Sequence, residues 1–76
     1  MVGLRFYTRG HRMVINSRIR ELREVRQMSI ENLAALTGLS TLRIRKIEAR
    51  IIEPMSSEVV KIAEAYGITT TELEGD

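Results

Sequence analysis

Apolar residues recur at helical spacing along most of the chain, in short blocks divided by turn residues. The block that organises the others is SIENLAALTGLSTLRIRKIEAR, Ser29 to Arg50. Leu33, Ala34 and Thr37 share one face of its first half, and Ile44 and Ile47 share one face of its second. Gly38-Leu39-Ser40 lies between them. Glycine after the last periodic residue marks a helix C-terminus, because it takes left-handed dihedrals without strain. Ser40 can cap the next helix with its hydroxyl, and Ala34 is small where two helices would cross closely. The pattern fits either a helix-turn-helix or a plain helical hairpin.

The flanking blocks read as helices too. A first helix should start at Asn16 or Ser17, either of which can cap it, and reach Arg26. Ile19, Leu22, Arg23 and Arg26 share its inner face. Arginine on that face requires a partner, since an unpaired buried charge is costly. The obvious one is Glu48, on the inner side of the third helix with Ile44 and Ile47. Ser29 caps the second helix, and Glu31 suits the positive end of its dipole. A fourth helix should run from about Ser57 to Ala65 or Tyr66, capped by Ser56 or Ser57. Val59, Ile62, Ala63 and Tyr66 form its stripe, and Gly67 ends it. Thr69-x-x-Glu72 is a capping box for a short last helix anchored by Leu73.

Two stretches stand outside this pattern. Residues 1–14 form a leader or arm ahead of a domain spanning 15–76. Its β-prone runs LRFYT and HRMVI flank Arg9-Gly10, so a small hairpin, a disordered leader, a basic arm (Arg5, Arg9, Arg12) along DNA and a dimer contact all compete. The linker Ile51-Ile52-Glu53-Pro54-Met55 is apolar, and Pro54 should stop the third helix from propagating. Exposed apolar patches mark interfaces. Ile51, Ile52, Met55 and Leu73 are therefore the candidate homodimer contacts; alternatively Ile51 and Met55 plug the core and only Ile52 is exposed.

Charge sharpens the reading. The outer side of the third helix carries Leu42, Arg45, Lys46 and Ala49, flanked by Thr41 and Arg43: three cations and no acid. Such a face suits a DNA major groove, where Arg and Lys reach guanine edges or phosphates and apolar groups meet a thymine methyl. The competing reading is a solvated cationic face. Net charge is +2, but residues 1–26 hold seven Arg against two Glu, and residues 51–76 hold six acids against one Lys. A polyanionic partner for the basic end follows.

Composition excludes more than it assigns. Seventy-six residues allow one small domain. There is no cysteine and a single histidine, His11, so neither thiolate chemistry nor a zinc site is built from them. No apolar run approaches membrane length and no secretory leader is evident, which gives a cytoplasmic location by default. No nucleophile–base pair, metal cluster or phosphate-cradling glycine loop is present. An enzyme is not expected, nor a cofactor, metal or small-molecule ligand.

From about Ile15 to Leu73 the chain resembles the Cro/repressor (XRE-type, lambda-repressor-like) helix-turn-helix domains. The resemblance rests on IRELREVRQMSIENLAALTGLS, the glutamate of RKIEAR, and PMSSEVVKIAEAYGITTTEL taken together. It implies an all-α, compact five-helix bundle with a helix-turn-helix, here preceded by a short irregular or hairpin-like segment. It also implies an Arg–Glu structural pair at Arg23 and Glu48, and a third helix that enters the major groove. On that template Leu42, Arg45 and Lys46 face bases with Thr41 and Arg43 at the margins, while Ser40, Arg43 and Arg50 hold phosphates. The chain departs from the family pattern at Ile30 and Leu42, where relatives are usually polar. It departs again at Ala49-Arg50, which replaces a common Asn-Gly, so that the third helix should run on or end less sharply.

The expected function is a sequence-specific double-stranded DNA-binding regulator. It would most simply be a repressor, acting as a homodimer on a palindromic operator because so small a domain reads few base pairs. The alternative is a protein-interaction or antitoxin-like module on the same fold, supported by the apolar Ile30, Leu42, Ile51 and Ile52.

Overall fold

The computed structural model describes residues 14–75, and the hairpin, arm and dimer readings of the leader lie outside them, Val14 excepted. Five helices follow one another: α1 (Ile15–Val25), α2 (Ile30–Thr37), α3 (Thr41–Glu48), α4 (Ser56–Tyr66) and α5 (Thr70–Glu74). The described residues contain no strand. Helix α1 packs on α3, α4 and α5; α2 packs on α3 and α4; α5 also lies on α4. The buried centre is Ile19, Leu33, Ile44, Ile47, Val59, Ile62, Ala63, Tyr66 and Leu73, so every helix contributes. Full burial of one such aliphatic side chain stabilises by about 1.5–3 kcal/mol. That is how helices of five to eleven residues, too short to hold in water alone, persist here.

Several helix ends are made differently from the sequence expectation. Asn16 does not cap α1. It is buried within the first turn, and its amide donates to the carbonyls of Ile47 at 2.8 Å and Ile52 at 2.9 Å. Val14 occupies the cap position and makes no side-chain cap bond. Ser56 and Ser57 likewise lie inside α4, where Glu58 accepts the Met55 N–H at 2.7 Å in the role foreseen for them. At α2 the Ser29 hydroxyl accepts from Asn32 N–H, with the Asn32 side chain reciprocating. The Thr69–Glu72 box of α5 has bonds of 2.8 and 3.0 Å.

Helix α3 ends sharply without a glycine, contrary to the extended or frayed end read from Ala49-Arg50. The Ile51 N–H reaches back to the Lys46 carbonyl at 2.9 Å and the Arg50 N–H to Ile47 at 3.0 Å. This is a Schellman closure, and its left-handed residue is Arg50 at φ 64. The helix has ended six residues before Pro54, so proline is not what stops it. Gln27, at φ 56, closes α1 in the same way.

The linker also sorts its apolar residues in the opposite sense. Ile51 and Met55 are exposed, at 68% and 58%, whereas Ile52 packs against the core. Leu73 is fully buried beneath its own helix and so has no surface to offer a dimer partner. Tyr66 donates its hydroxyl to the Ile19 carbonyl at 2.7 Å, tying α4 to α1, and burial pushes its pKa up. The Arg26 guanidinium lies over the Tyr66 ring at 4.9 Å and donates to the Tyr66 carbonyl.

Candidate nucleic-acid interface

The site is built on α3. Ser40 accepts the Arg43 N–H at 3.0 Å and fixes where the helix starts. Ile44 and Ile47 then drive one side into the core, at 1% and 0% exposure. With 3.6 residues per turn, that choice forces Leu42, Arg45, Lys46 and Ala49 onto the opposite side, and all four are exposed. Thr41 is half-buried at the margin, and Ser40 is exposed at the cap. Leu42 points outward at 59% exposure and leaves an apolar tip among cations.

Two bidentate ion pairs brace this helix. From α1, Arg23 donates through Nε to Glu48 Oε2 at 2.7 Å and through Nη2 to Oε1 at 3.0 Å. A third bond runs from Nη1 to the Met28 carbonyl at 2.7 Å, so the same guanidinium also holds the α1–α2 turn. Both side chains are largely covered, and the hydrogen bond to Glu48 raises the Arg23 pKa further. The second pair was not read from the sequence. Arg43 turns toward α4 and donates through Nε and Nη2 to Glu58 Oε2 and Oε1, at 2.7 and 2.9 Å. Glu58 is buried, yet its carboxyl is held below the ordinary value by the Arg43 bonds, which with the Met55 N–H outweigh desolvation. The same bonds raise the Arg43 pKa.

The expected phosphate set is therefore not uniformly disposed. Arg50 is exposed just beyond the helix end, whereas the Nε/Nη2 edge of Arg43 is committed to Glu58. Arg45 is exposed and lies 3.6 Å from Glu31 of α2, an acid that the single-helix projection left out. Such a loose, solvated pair contributes little and yields readily to a ligand. Ile30 packs against the core, so only its backbone could serve a phosphate. Glu58 was readable as a capping residue, three positions after Met55, but no local pattern reveals its reach to Arg43 fifteen residues earlier.

No helix in the described residues is long and apolar enough to cross a membrane, and no group of three or more His, Cys, Asp or Glu there could hold a metal ion.

A family model described as helix-turn-helix matches residues 19–73. Among solved structures, the chain is similar to the restriction-modification controller protein C.AhdI from Aeromonas hydrophila. Identity is 32% and the TM-score 0.74, over 78% of this chain and 89% of that one. It also superposes on the DNA-binding domain of the P22 c2 repressor, at 23% identity and TM-score 0.79 over 86% and 87% of the two chains. SinR, described as a master regulator for biofilm formation and solved with DNA, matches at 21% identity and TM-score 0.74 over 79% and 97%. These last two likenesses speak for the fold alone. No curated protein sequence matches the chain.

Proposed function

The chain belongs to the helix-turn-helix family, and we propose that it is a sequence-specific double-stranded DNA-binding transcriptional regulator, acting as a homodimeric repressor on a palindromic operator. The observation that carries this reading is the division of α3. Its inner face is locked by core burial and ion pairs, while its outer face presents Leu42, Arg45 and Lys46 to solvent on a rigid support. In the major groove, Arg45 and Lys46 would donate to guanine edges and Leu42 would meet a thymine methyl, with Thr41 beside them. Ser40 and Arg50 would hold phosphates at the two ends and fix the register. C.AhdI, a restriction-modification controller protein at 32% identity, supports the reading by likeness.

The test is selection of bound sequences from a random duplex pool, followed by Arg45→Ala and Lys46→Ala on the selected site. Each should weaken binding by about 1–3 kcal/mol if it reads a base. Each should shift stability within about ±0.5 kcal/mol. Wild type and both variants binding equally would sink the groove assignment.

The homodimer would form through Ile51 and Met55 of the linker, next to an open groove lined by Ile15, Pro54, Val59 and Val60. Ile51→Glu is the informative change, because Ile51 is exposed and Ile52 is not. It should convert a sedimenting dimer to a monomer with helicity retained, and an unaltered dimer places the contact elsewhere.

The second reading, a protein-interaction or antitoxin-like module, is favoured by exposed Leu42 and Ile51. Salt separates the two. DNA binding should weaken steeply as salt rises, through counterion release, and an apolar protein contact should not.

A further inference from the structure

We propose that Glu58 controls how Arg43 takes part in DNA binding: it holds the guanidinium back as a positioning residue and thereby restrains sequence-independent affinity. This rests on the DNA-binding reading of α3. Arg43 stands within the first turn of that helix, three residues from the Ser40 cap and one from outward Leu42. A free arginine there would be a strong phosphate ligand. It is not free. Nε and Nη2 are taken by the two Glu58 oxygens, at 2.7 and 2.9 Å. Fork-to-fork bonding of this kind uses the same edge of the guanidinium that grips a phosphate. Carboxylate and phosphate thus compete for one face of one side chain.

Glu58 is a well-anchored competitor. It is 6% exposed, its Oε1 also accepts the Met55 N–H at 2.7 Å, and it sits in the first turn of α4, where the helix dipole favours the anion. The carboxylate therefore stays charged and in place, and Arg43 must leave it to reach DNA. The pair also links α3 to α4, a helix it otherwise meets less than α1 and α2. Phosphate contacts add affinity without sequence information, whereas base contacts carry the information. Withholding one phosphate ligand while stiffening the reading helix lowers background binding and leaves discrimination to Leu42, Arg45 and Lys46.

The experiment measures the salt dependence of binding to random duplex DNA and to the selected site. Glu58→Gln keeps an acceptor for the Met55 N–H but no longer holds Arg43 as an ion pair. Glu64→Gln removes the same charge from the exposed side of α4 and controls for net charge. Relative to that control, Glu58→Gln should bind random duplex more tightly and steepen the slope of log K against log salt by about 0.9, the value of one added phosphate contact. That is about a threefold greater loss of affinity between 50 and 200 mM salt. Arg43→Met in the wild-type background should leave the slope unchanged, and Arg43→Met with Glu58→Gln should abolish the increase. Circular dichroism melts confirm that each variant is folded.

The proposal is overturned if Arg43→Met alone lowers the slope by about one contact, since Arg43 then already holds a phosphate. It is overturned equally if Glu58→Gln matches Glu64→Gln. Absence of salt-dependent DNA binding by the wild type overturns the DNA reading and this inference together, whereas wild-type binding with no Glu58 effect overturns this inference alone.

Discussion

The two ends of α3 are held by the same chemical device with opposite polarity. At the C-terminal end α3 supplies the acid, Glu48, and the framework supplies the cation, Arg23. At the N-terminal end α3 supplies the cation, Arg43, and the framework the acid, Glu58. The first pair is enclosed, with side-chain exposures of 12% and 6%; in the second, Arg43 keeps 33%. Only the second cation therefore has somewhere else to go. An enclosed pair is part of the fold, because either partner left alone is a charge without solvent. A pair whose cation borders solvent can be exchanged for an external anion.

The sharpest way to break this comparison is to remove the acid at each end. Glu48→Ala should cost about 3–5 kcal/mol in urea or thermal unfolding, since Arg23 is left buried and uncompensated. Glu58→Ala should cost less, because Arg43 can turn to water. Equal losses would mean that both pairs are structural in the same sense.

Acid titration should sharpen it further. The Glu58 pKa in the fold lies below the ordinary carboxylate value of 4.5. Its contribution to stability is thus complete above that value and is lost as pH falls through the folded-state pKa. Melting temperatures followed from neutral pH to below 4.5 should fall more for wild type than for Glu58→Gln, which has no carboxyl to protonate there. Parallel curves would show that Glu58 gains nothing from ionisation.

The smallest expected effect concerns the closure next to Glu48. Arg50 holds a left-handed φ that costs a non-glycine residue about 1 kcal/mol or slightly more. Arg50→Gly should raise stability by about that amount in a melt while weakening DNA binding through loss of a phosphate ligand. A stabilised variant with undiminished binding would leave Arg50 without a DNA role.

Much of this was legible in the chain. The periodicity of Leu33, Thr37, Ile44 and Ile47, the Gly38 turn, and the caps at Ser29, Ser40 and Thr69 specify where three of the helices begin and which sides are buried. These are interactions across three or four residues, so a linear reading recovers them. The exposed triad Leu42, Arg45 and Lys46 follows from the same periodicity, because burying one side of a helix exposes the other. What the sequence alone could not place are groups that local rules satisfy in more than one way. Asn16 is as good a cap as an internal strut, and its use of the Ile47 and Ile52 carbonyls depends on how α1 lies across the end of α3. Nothing local reveals that α4 brings Glu58 beside Arg43, and Glu31 meets Arg45 only once α2 is set against α3. Ile51, Ile52 and Met55 are equally apolar, and the path of the linker alone decides that the middle one is covered. Hydrophobic periodicity therefore determined the bundle and the exposed cationic face of α3. The pairing of polar groups more than a turn apart was decided by the packing angles between helices, which no local spacing encodes.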